Sequence, residues 1–546
     1  MFNPIRMNSI FKFTVGSFLL VLASSSIHAQ PASDARDWHL MDPVEDSVQG
    51  MGVEKAYQTV LKGLPSRKVL VAVIDSGIDI DHEDLRSVIW TNPGEVAGNG
   101  IDDDRNGYID DLHGWSFIGG KGGNVQYDTY ELTRELVRLK QLADADPSTL
   151  SRKQQLERER YPAVKEQYDA KFAEEDGQYR MYKRIYTNMV FGIDTLRSVL
   201  GNRELTIARL DSLQSQDPVI LFAKSAVLSL LRNAPDTGLD DMMSELKGGY
   251  EHYRGLVEYG LNQSFDPRPL VGDNYADKRE RYYGSSDVKG PDADHGTHVA
   301  GIIAADRKND TGMRGIADHV SIMVLRAVPD GDERDKDVAN AILYAVNNGA
   351  AVINMSFGKS ISPDKAVVDE AVRYGEKRGV LIIHAAGNEG SDNDRTPNFP
   401  GPVFTNGRSA KLWIEVGASS DGRSQDLVAG FSNYGKRSVD VFAPGVDIFS
   451  TIPGSLYKAN SGTSMAAPAV TGVAALLMSY FPNLGAAAVK DILVQSVRRF
   501  DGLEVTRPGS DERVSLSELC RSGGVVNALE AVKLAQKRSA ASGTSR

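Results

Sequence analysis

The sequence predicts an α/β protein whose open parallel sheet is flanked by helices and carries an inserted α-helical subdomain. Continuous β-rich apolar runs, such as residues 68–74, are typical of strands buried on both faces of a parallel sheet. After residue 282 such runs alternate with helical patterns of about ten to fifteen residues, as βαβ units require. Between residues 127 and 265 apolar residues recur at helical spacing only, which indicates the insertion.

These patterns place the individual elements. Strands are predicted at 68–74, 320–325, 351–355, 380–384 and 413–416, and helices at 54–61, 337–348, 365–379 and 487–496. Within the insertion, Asp217 followed by Pro218 is a typical helix start, with a cap and a proline at the first helical position.

Composition narrows the function classes. The chain has 546 residues, of which 41% are hydrophobic and 25% charged, and these are globular values. A formal charge of −11 argues against a nucleic-acid-binding protein. The single cysteine, Cys520, cannot form an internal disulfide, and thiol catalysis is not expected.

The first 29 residues have the pattern of a secretory signal peptide. Arg6 and Lys12 supply positive charge, residues 13–23 form an apolar core, and small residues lead to a cleavage position after Ala29. A transmembrane anchor is the alternative, but the apolar run is short for a bilayer. We therefore expect an exported chain without a membrane span after cleavage, in the periplasm, at the cell surface or outside the cell. Residues 30–68 form a short N-terminal segment, and residues 537–546 are predicted to be a flexible tail.

An acidic loop at residues 102–111 resembles an oxygen-lined calcium loop. Asp102, Asp104 and Asn106 alternate, Tyr108 can offer its carbonyl oxygen, and Asp110 follows two residues later. The bidentate glutamate of a complete loop is missing, since His113 stands at that position, and Asp111 is a possible substitute. The sequence predicts a structural calcium ion here, with an acidic solvated turn as the alternative.

Four polar residues lie where predicted strands end or helices begin. Asp75 ends a buried strand, Asn388 lies in a loop after another strand, and His295 and Ser464 precede small-residue helices. Each has an ordinary structural explanation as a cap or turn residue. His295 and His298 could also share a metal ion, but no third ligand lies nearby in sequence.

Taken together, the four motifs resemble those of the subtilisin-like serine peptidases. They read Val-Ile-Asp75-Ser-Gly, His295-Gly-Thr-His-Val-Ala-Gly, Ala-Ala-Gly-Asn388 and Gly-Thr-Ser464-Met-Ala-Ala-Pro, in the order of that family. The resemblance covers residues 69–118 and 280–536. It divides the chain into a first peptidase part (69–126), the helical insertion (127–265) and a second peptidase part (266–536).

The resemblance implies a secreted endopeptidase with a subtilisin-like fold that forms an acyl-enzyme on Ser464. His295 is then the general base and acid, Asp75 orients it, and Asn388 donates to the oxyanion. By the same resemblance, Ser356, Phe357, Gly358 and Gly387 bind an extended polypeptide substrate by strand addition. No cofactor is expected for catalysis, and the oligomeric state is left open.

One departure from the family pattern is the distance of 220 positions between Asp75 and His295, which the insertion explains. The insertion is expected beside the cleft, as a lid, a selectivity gate or a partner surface. Two other functions remain as alternatives: a catalytically idle scaffold of the same fold, and an α/β-hydrolase esterase. The esterase is disfavoured because residues 462–466 lack the Gly-x-Ser-x-Gly pattern and because the chain order is Asp, His, Ser.

Overall fold

The computed structural model describes residues 36–201, 203–233 and 237–543. Within these residues the chain forms two compact units: a sheet unit (36–135 and 264–543) and a helical unit (136–263). The predicted signal peptide lies outside the described residues.

The centre of the sheet unit is a nine-stranded, mostly parallel sheet with the order β12-β15-β9-β8-β7-β6-β1-β5-β2. In chain order the strands are β1 (Val69–Asp75), β2 (Gly114–Ser116), β3 (Gly119–Gly120), β4 (Gly123–Asn124), β5 (Val320–Arg326), β6 (Val352–Met355), β7 (Leu381–Ala385), β8 (Trp413–Ser419), β9 (Val441–Pro444), β10 (Ile448–Ile452), β11 (Leu456–Asn460), β12 (Arg498–Arg499), β13 (Glu504–Thr506), β14 (Arg513–Ser515) and β15 (Gly524–Val525). The pairs β3–β4, β10–β11 and β13–β14 form three small sheets of their own.

Helices cover both faces of the large sheet and build the helical unit. They are α1 (Val53–Gln58), α2 (Glu131–Asp144), α3 (Arg152–Arg158), α4 (Tyr161–Leu200), α5 (Ile207–Ser212), α6 (Pro218–Asn233), α7 (Leu239–Gly255), α8 (Arg268–Val271), α9 (Asp294–Ala304), α10 (Asp335–Asn347), α11 (Lys365–Lys377), α12 (Thr463–Tyr480), α13 (Ala486–Gln495) and α14 (Ala528–Gly543). In the sheet unit, one apolar core joins the sheet to α9, α12 and α14, and a second core joins the opposite face to α10 and α11.

The register of the central strands brings their carboxyl ends to one edge of the sheet. β1 pairs in parallel with β5 on one side and β6 on the other, and six of its seven residues are buried. The carboxyl ends of these strands lie at one edge of the sheet, where open α/β sheets commonly place their sites.

The helical unit has its own small core. The 40-residue helix α4 packs against α6 and α7, and Met189, Ile193 and Leu196 from α4 meet Ala223 and Val227 from α6 in this core. The predicted start of α6 is confirmed, because the Asp217 carboxylate accepts a hydrogen bond from the Val219 N–H at 2.8 Å.

The parallel sheet, its flanking helices and the helical insertion are therefore confirmed. The helical unit starts at residue 136, after the predicted boundary of 127, because residues 127–135 belong to the sheet unit. Residues 537–543, which were predicted as part of a flexible tail, continue helix α14.

Among the described residues, one helix is long and apolar enough to cross a membrane by length and composition alone. It is α12, and 89% of its apolar window is buried inside the protein, as for the core helix of a globular domain.

Candidate active site

Asp75 and His295 meet at the carboxyl edge of the sheet. Asp75 is the last residue of β1 and is 2% exposed, and His295 is the second residue of α9. The His295 ring donates from Nδ1 to Asp75 Oδ1 at 2.7 Å, and the Ser76 N–H donates to the same oxygen at 2.8 Å. The His295 side chain is 40% exposed, so one edge of the ring is fixed while part of the ring stays open to solvent.

The electrostatic surroundings raise the pKa of His295 above its usual 6.5. Burial lowers this pKa, but the charge and hydrogen bond of Asp75 outweigh burial, and the Asp294 and Asp292 carboxylates act in the same direction. The imidazolium form that arises when His295 accepts a proton is therefore stabilised.

Glycines allow the two elements to approach this closely. A Cβ at Gly296 would lie 2.2 Å from the Gly77 carbonyl oxygen and 3.1 Å from Asp75 Cβ. Gly77 itself has φ +137°, and a Cβ there would lie 2.2 Å from the Lys289 carbonyl oxygen. The glycines of both motifs are thus required for the carboxylate and the imidazole to meet.

Ser464 is the second residue of α12, directly after Gly462 and Thr463. Its Oγ donates to the Ser356 carbonyl oxygen at 3.0 Å, and Ser356 Oγ donates back to the Ser464 carbonyl oxygen at 3.0 Å. In the part of the chain that the structure describes, no hydrogen bond joins Ser464 to His295. The position at a helix N-terminus favours negative charge that develops near the serine.

Asn388 is oriented by Thr463, a residue that the sequence analysis did not single out. Asn388 Oδ1 accepts hydrogen bonds from the Thr463 N–H at 2.9 Å and from Thr463 Oγ at 3.0 Å. Thr463 Oγ in turn accepts the Gly387 N–H at 3.1 Å. Because Oδ1 is engaged, the exposed amide of Asn388 is left with Nδ2 as its free donor. In the sequence, this role of Thr463 could have been inferred only from its position within the Gly462-Thr463-Ser464 motif.

Residues Ser356 to Gly358 continue β6 beyond its last ladder bond and form what we call the substrate edge. Ser356 is buried, Phe357 is half-buried and Gly358 is exposed. Among the described residues, no hydrogen bond joins the backbone N–H or C=O of Phe357 or Gly358 to another part of the chain. An unpaired extended segment of this kind can accept an added strand.

The acidic loop brings together a different set of carboxylates from the one that the spacing suggested. Oxygen atoms of Glu95, Asp104 and Asp111 lie within 4.8 Å of one another. Asn106 joins this group, because its Nδ2 donates to Asp104 at 3.1 Å and to Asp111 at 2.8 Å. Glu95 Oε2 is buried and has no hydrogen-bond partner among the described residues.

The carboxylates of Asp102 and Asp110 do not belong to that group. The Asp102 carboxylate accepts the Asn106 and Gly107 N–H groups, at 3.0 and 2.8 Å. The Asp110 carboxylate accepts the Asn99 and Gly100 N–H groups instead. The Tyr108 ring packs edge-on against Trp115 and Tyr344. Asp102 and Asp110 therefore shape the loop, whereas Glu95, Asp104 and Asp111 offer the oxygen atoms that a hard cation prefers.

Comparison with known proteins is consistent with this geometry. The sequence model of the subtilase family, peptidase S8, matches residues 66–517. A thermophilic serine proteinase from Bacillus sp. (strain AK1) is 44% identical over 190 residues, which are 35% of this chain and 43% of that protein. Subtilisin DY from Bacillus licheniformis is 34% identical over 241 residues, 44% of this chain and 81% of that protein. Thermitase from Thermoactinomyces vulgaris is 42% identical over 186 residues, 34% of this chain and 61% of that protein.

Proposed function

Because the chain belongs to the subtilase family, we propose that it is an exported serine endopeptidase that hydrolyses peptide bonds through an acyl-enzyme on Ser464. The observation that carries the proposal is the Asp75–His295 pair, joined at 2.7 Å and partly open to solvent at the edge of the sheet that also holds Ser464 and Asn388. The curated relatives are aligned over only part of their length, and the activity of the whole protein is therefore part of the proposal.

In the proposed reaction, Ser464 Oγ attacks the carbonyl carbon of the scissile peptide bond while His295 Nε2 takes the hydroxyl proton. Asp75 fixes the ring and stabilises its cationic form. Asn388 Nδ2 and the Ser464 N–H donate to the oxyanion of the tetrahedral intermediate. Collapse breaks the C–N bond, and His295 gives its proton to the leaving amine. A water molecule, deprotonated by His295, then attacks the acyl carbon; the ester bond to Ser464 Oγ breaks, and His295 returns the proton to Ser464 Oγ.

The substrate is an extended polypeptide. The free N–H and C=O groups of Phe357 and Gly358 support strand addition along the substrate edge. Gly387 lies beside Asn388. Its N–H group donates to Thr463 Oγ, which links the Gly387–Asn388 loop to the start of α12, the helix that carries Ser464.

A covalent label tests the nucleophile. A fluorophosphonate probe should react with the wild-type protein and not with Ser464→Ala. The matched control is Ser461→Ala, since Ser461 is an exposed serine of the same segment whose Oγ bonds the Asp447 N–H at 2.8 Å. Failure of the wild type to react would refute the proposal in favour of an idle scaffold. Turnover of simple esters without turnover of casein would favour the esterase.

Export is proposed from the pattern of residues 1–29. N-terminal sequencing of the protein recovered outside the cytoplasm should begin at Gln30. A chain that keeps its first residues and stays in the cytoplasm would contradict export.

We also propose a structural calcium ion at the acidic loop. Its ligands would be the Glu95, Asp104 and Asp111 carboxylates. Glu95 Oε2 is buried without a hydrogen-bond partner among the described residues, and this supports a cation at that position. Calcium should raise the melting temperature of the wild type and have a smaller effect on Asp104→Asn. A melting temperature that a chelator leaves unchanged would count against the ion.

A further inference from the structure

Four consecutive charged residues at the start of α10 are buried. Arg334, Asp335, Lys336 and Asp337 are between 0 and 6% exposed, and we call them the charged turn. Buried charges are costly unless each has a partner of opposite sign, so the partners show what the charged turn holds. They come from three other parts of the sheet unit.

The first partner segment leads into the first turn of α2, where the chain leaves the sheet unit. Arg334 forms a two-point ion pair with the Asp128 carboxylate, with N–O distances of 2.7 and 2.9 Å. Beside it, the Asp128 N–H donates to the Asp330 carbonyl oxygen at 3.0 Å. The segment 126–134, the entry root of the insertion, is thus fastened to the residues around the charged turn.

The second partner segment follows the insertion, where the chain returns to the sheet unit. Asp337 pairs with Arg268 at 2.6 Å, and Lys336 pairs with Asp273 at 2.6 Å. Arg268 also bonds Asp273, which closes the cluster. These residues form the exit root (266–280), and they too are buried against the charged turn.

The third partner is Lys359, the residue directly after the substrate edge. Its side chain is 1% exposed, and its Nζ bonds Glu131 of the entry root at 2.9 Å and Asp335 of the charged turn at 2.9 Å. It also donates to the Glu333 carbonyl oxygen at 2.7 Å. Burial works against the charged ammonium, but Glu131 and Asp335 outweigh it and raise the pKa of Lys359. Lys359 is therefore charged, and three acceptors hold it.

We infer that Lys359 is a positioning residue for the peptide substrate: it ties the substrate edge to the charged turn and the entry root, and thereby sets the position of Gly358. This inference rests on the proposed function, because it concerns the binding of an extended peptide. Lys359 itself reaches neither Ser464 nor His295 by any hydrogen bond or ion pair among the described residues. Its loss should weaken strand addition and leave the chemistry at Ser464 intact.

Loss of the Lys359 ammonium would act by removing a restraint on the position of the substrate edge. Without the ammonium, the Glu131 and Asp335 carboxylates remain buried without that counter-ion and move towards water or apart. The backbone of residue 359 is paired with Phe399 on its other side, at 2.8 and 2.9 Å, so the displacement falls mainly on the unpaired residues Phe357 and Gly358. A displacement of about 1 Å in substrate-positioning groups lowers kcat/KM by about 10²-fold.

Two substrates of different length separate positioning from chemistry. For Lys359→Met, we expect kcat/KM for a quenched fluorescent peptide of about eight residues to fall about ten- to a hundredfold, mainly through KM. Turnover of p-nitrophenyl acetate, which has no strand to add, should stay within about twofold of the wild type. Lys359→Arg, which keeps the charge, should recover most of the peptide activity.

Lys336→Met is the matched control. It removes a buried lysine of the charged turn that holds the exit root and that, within the described part of the chain, has no bond to the substrate edge. It should lower the melting temperature as much as Lys359→Met does, with an unchanged KM for the peptide. Glu131→Gln should reproduce the Lys359→Met effect and replaces that variant if Lys359→Met does not fold.

Three results would overturn the inference: an unchanged peptide KM in Lys359→Met, an equal loss of peptide and ester turnover, or the same rise in KM for Lys336→Met. A wild type that turns over neither substrate would instead refute the proposed function itself.

Discussion

His39 makes the sheet unit sensitive to acid. It lies in a short 3₁₀ turn (Trp38–Leu40), is 1% exposed, and has no hydrogen-bond partner for either ring nitrogen among the described residues. Burial lowers the pKa of His39 from 6.5 to about 4; the Asp37 carboxylate opposes this effect and the Arg307 guanidinium adds to it. The ring is therefore neutral in the folded protein near neutral pH.

The sign and the size of the effect follow from this pKa. Between pH 6.5 and about 4 the unfolded chain binds a proton that the folded protein excludes, so stability falls as the pH falls. The full loss is about 3 kcal/mol and is reached below about pH 4. His39→Phe removes this proton-linked term. From pH 7 to pH 4 the free energy of unfolding of His39→Phe should fall by about 3 kcal/mol less than that of the wild type.

Urea unfolding at several pH values measures this difference. Both proteins should carry Ser464→Ala to prevent self-digestion during the experiment. Tryptophan fluorescence reports the sheet unit alone, because all four tryptophans belong to it: Trp38, Trp90, Trp115 and Trp413. His298, whose pKa burial also lowers to about 4, is present in both proteins and cancels. Stability curves that stay parallel from pH 8 to pH 4 would refute the reasoning.

Three further substitutions test the active site. Asn388→Ala should lower kcat about 10²–10³-fold with little change in KM, the cost measured for an oxyanion-hole amide in subtilisin itself; steady-state kinetics with an unchanged kcat would exclude Asn388 from the oxyanion hole. Asp75→Asn should lower kcat about 10⁴-fold and shift the acidic limb of the kcat/KM profile to lower pH, because the charge that raises the pKa of His295 is lost; an unshifted limb in the pH–rate profile would contradict this. Gly296→Ala should cost about 1–3 kcal/mol and most of the activity, because its Cβ would lie 2.2 Å from the Gly77 carbonyl oxygen; a wild-type melting temperature would show that this approach can relax.

The residues that the sequence identified well are those whose role depends on the position within a strand or helix. Asp75 was placed at the end of a buried strand, and His295 and Ser464 at helix starts, where the structure has them. The apolar runs gave the long strands of the large sheet, but strands of two or three residues, such as Gly119–Gly120, contain no periodicity to detect.

The remaining features depend on contacts between residues far apart in the chain. Thr463 orients Asn388 from 75 positions away, and Glu95 joins the acidic loop from outside the spacing pattern. The four charges at 334–337 form the kind of run that usually lies on a solvated surface. They are buried because partners at 128, 268–273 and 359 fold around them, and no local pattern shows this.

The carbonyl group of Ser356 connects the substrate edge to Ser464. Ser464 Oγ donates its proton to the Ser356 carbonyl oxygen, and Ser356 begins the substrate edge. For Ser464 to pass its proton to a base, its hydrogen bond to the Ser356 carbonyl oxygen must first break. Once displaced, the hydroxyl needs a new partner, and the open side of His295 is the basic group available at this edge. In the proposed reaction, the serine hydroxyl therefore exchanges the Ser356 carbonyl oxygen for His295 as its acceptor, at the same edge of the sheet that binds the peptide.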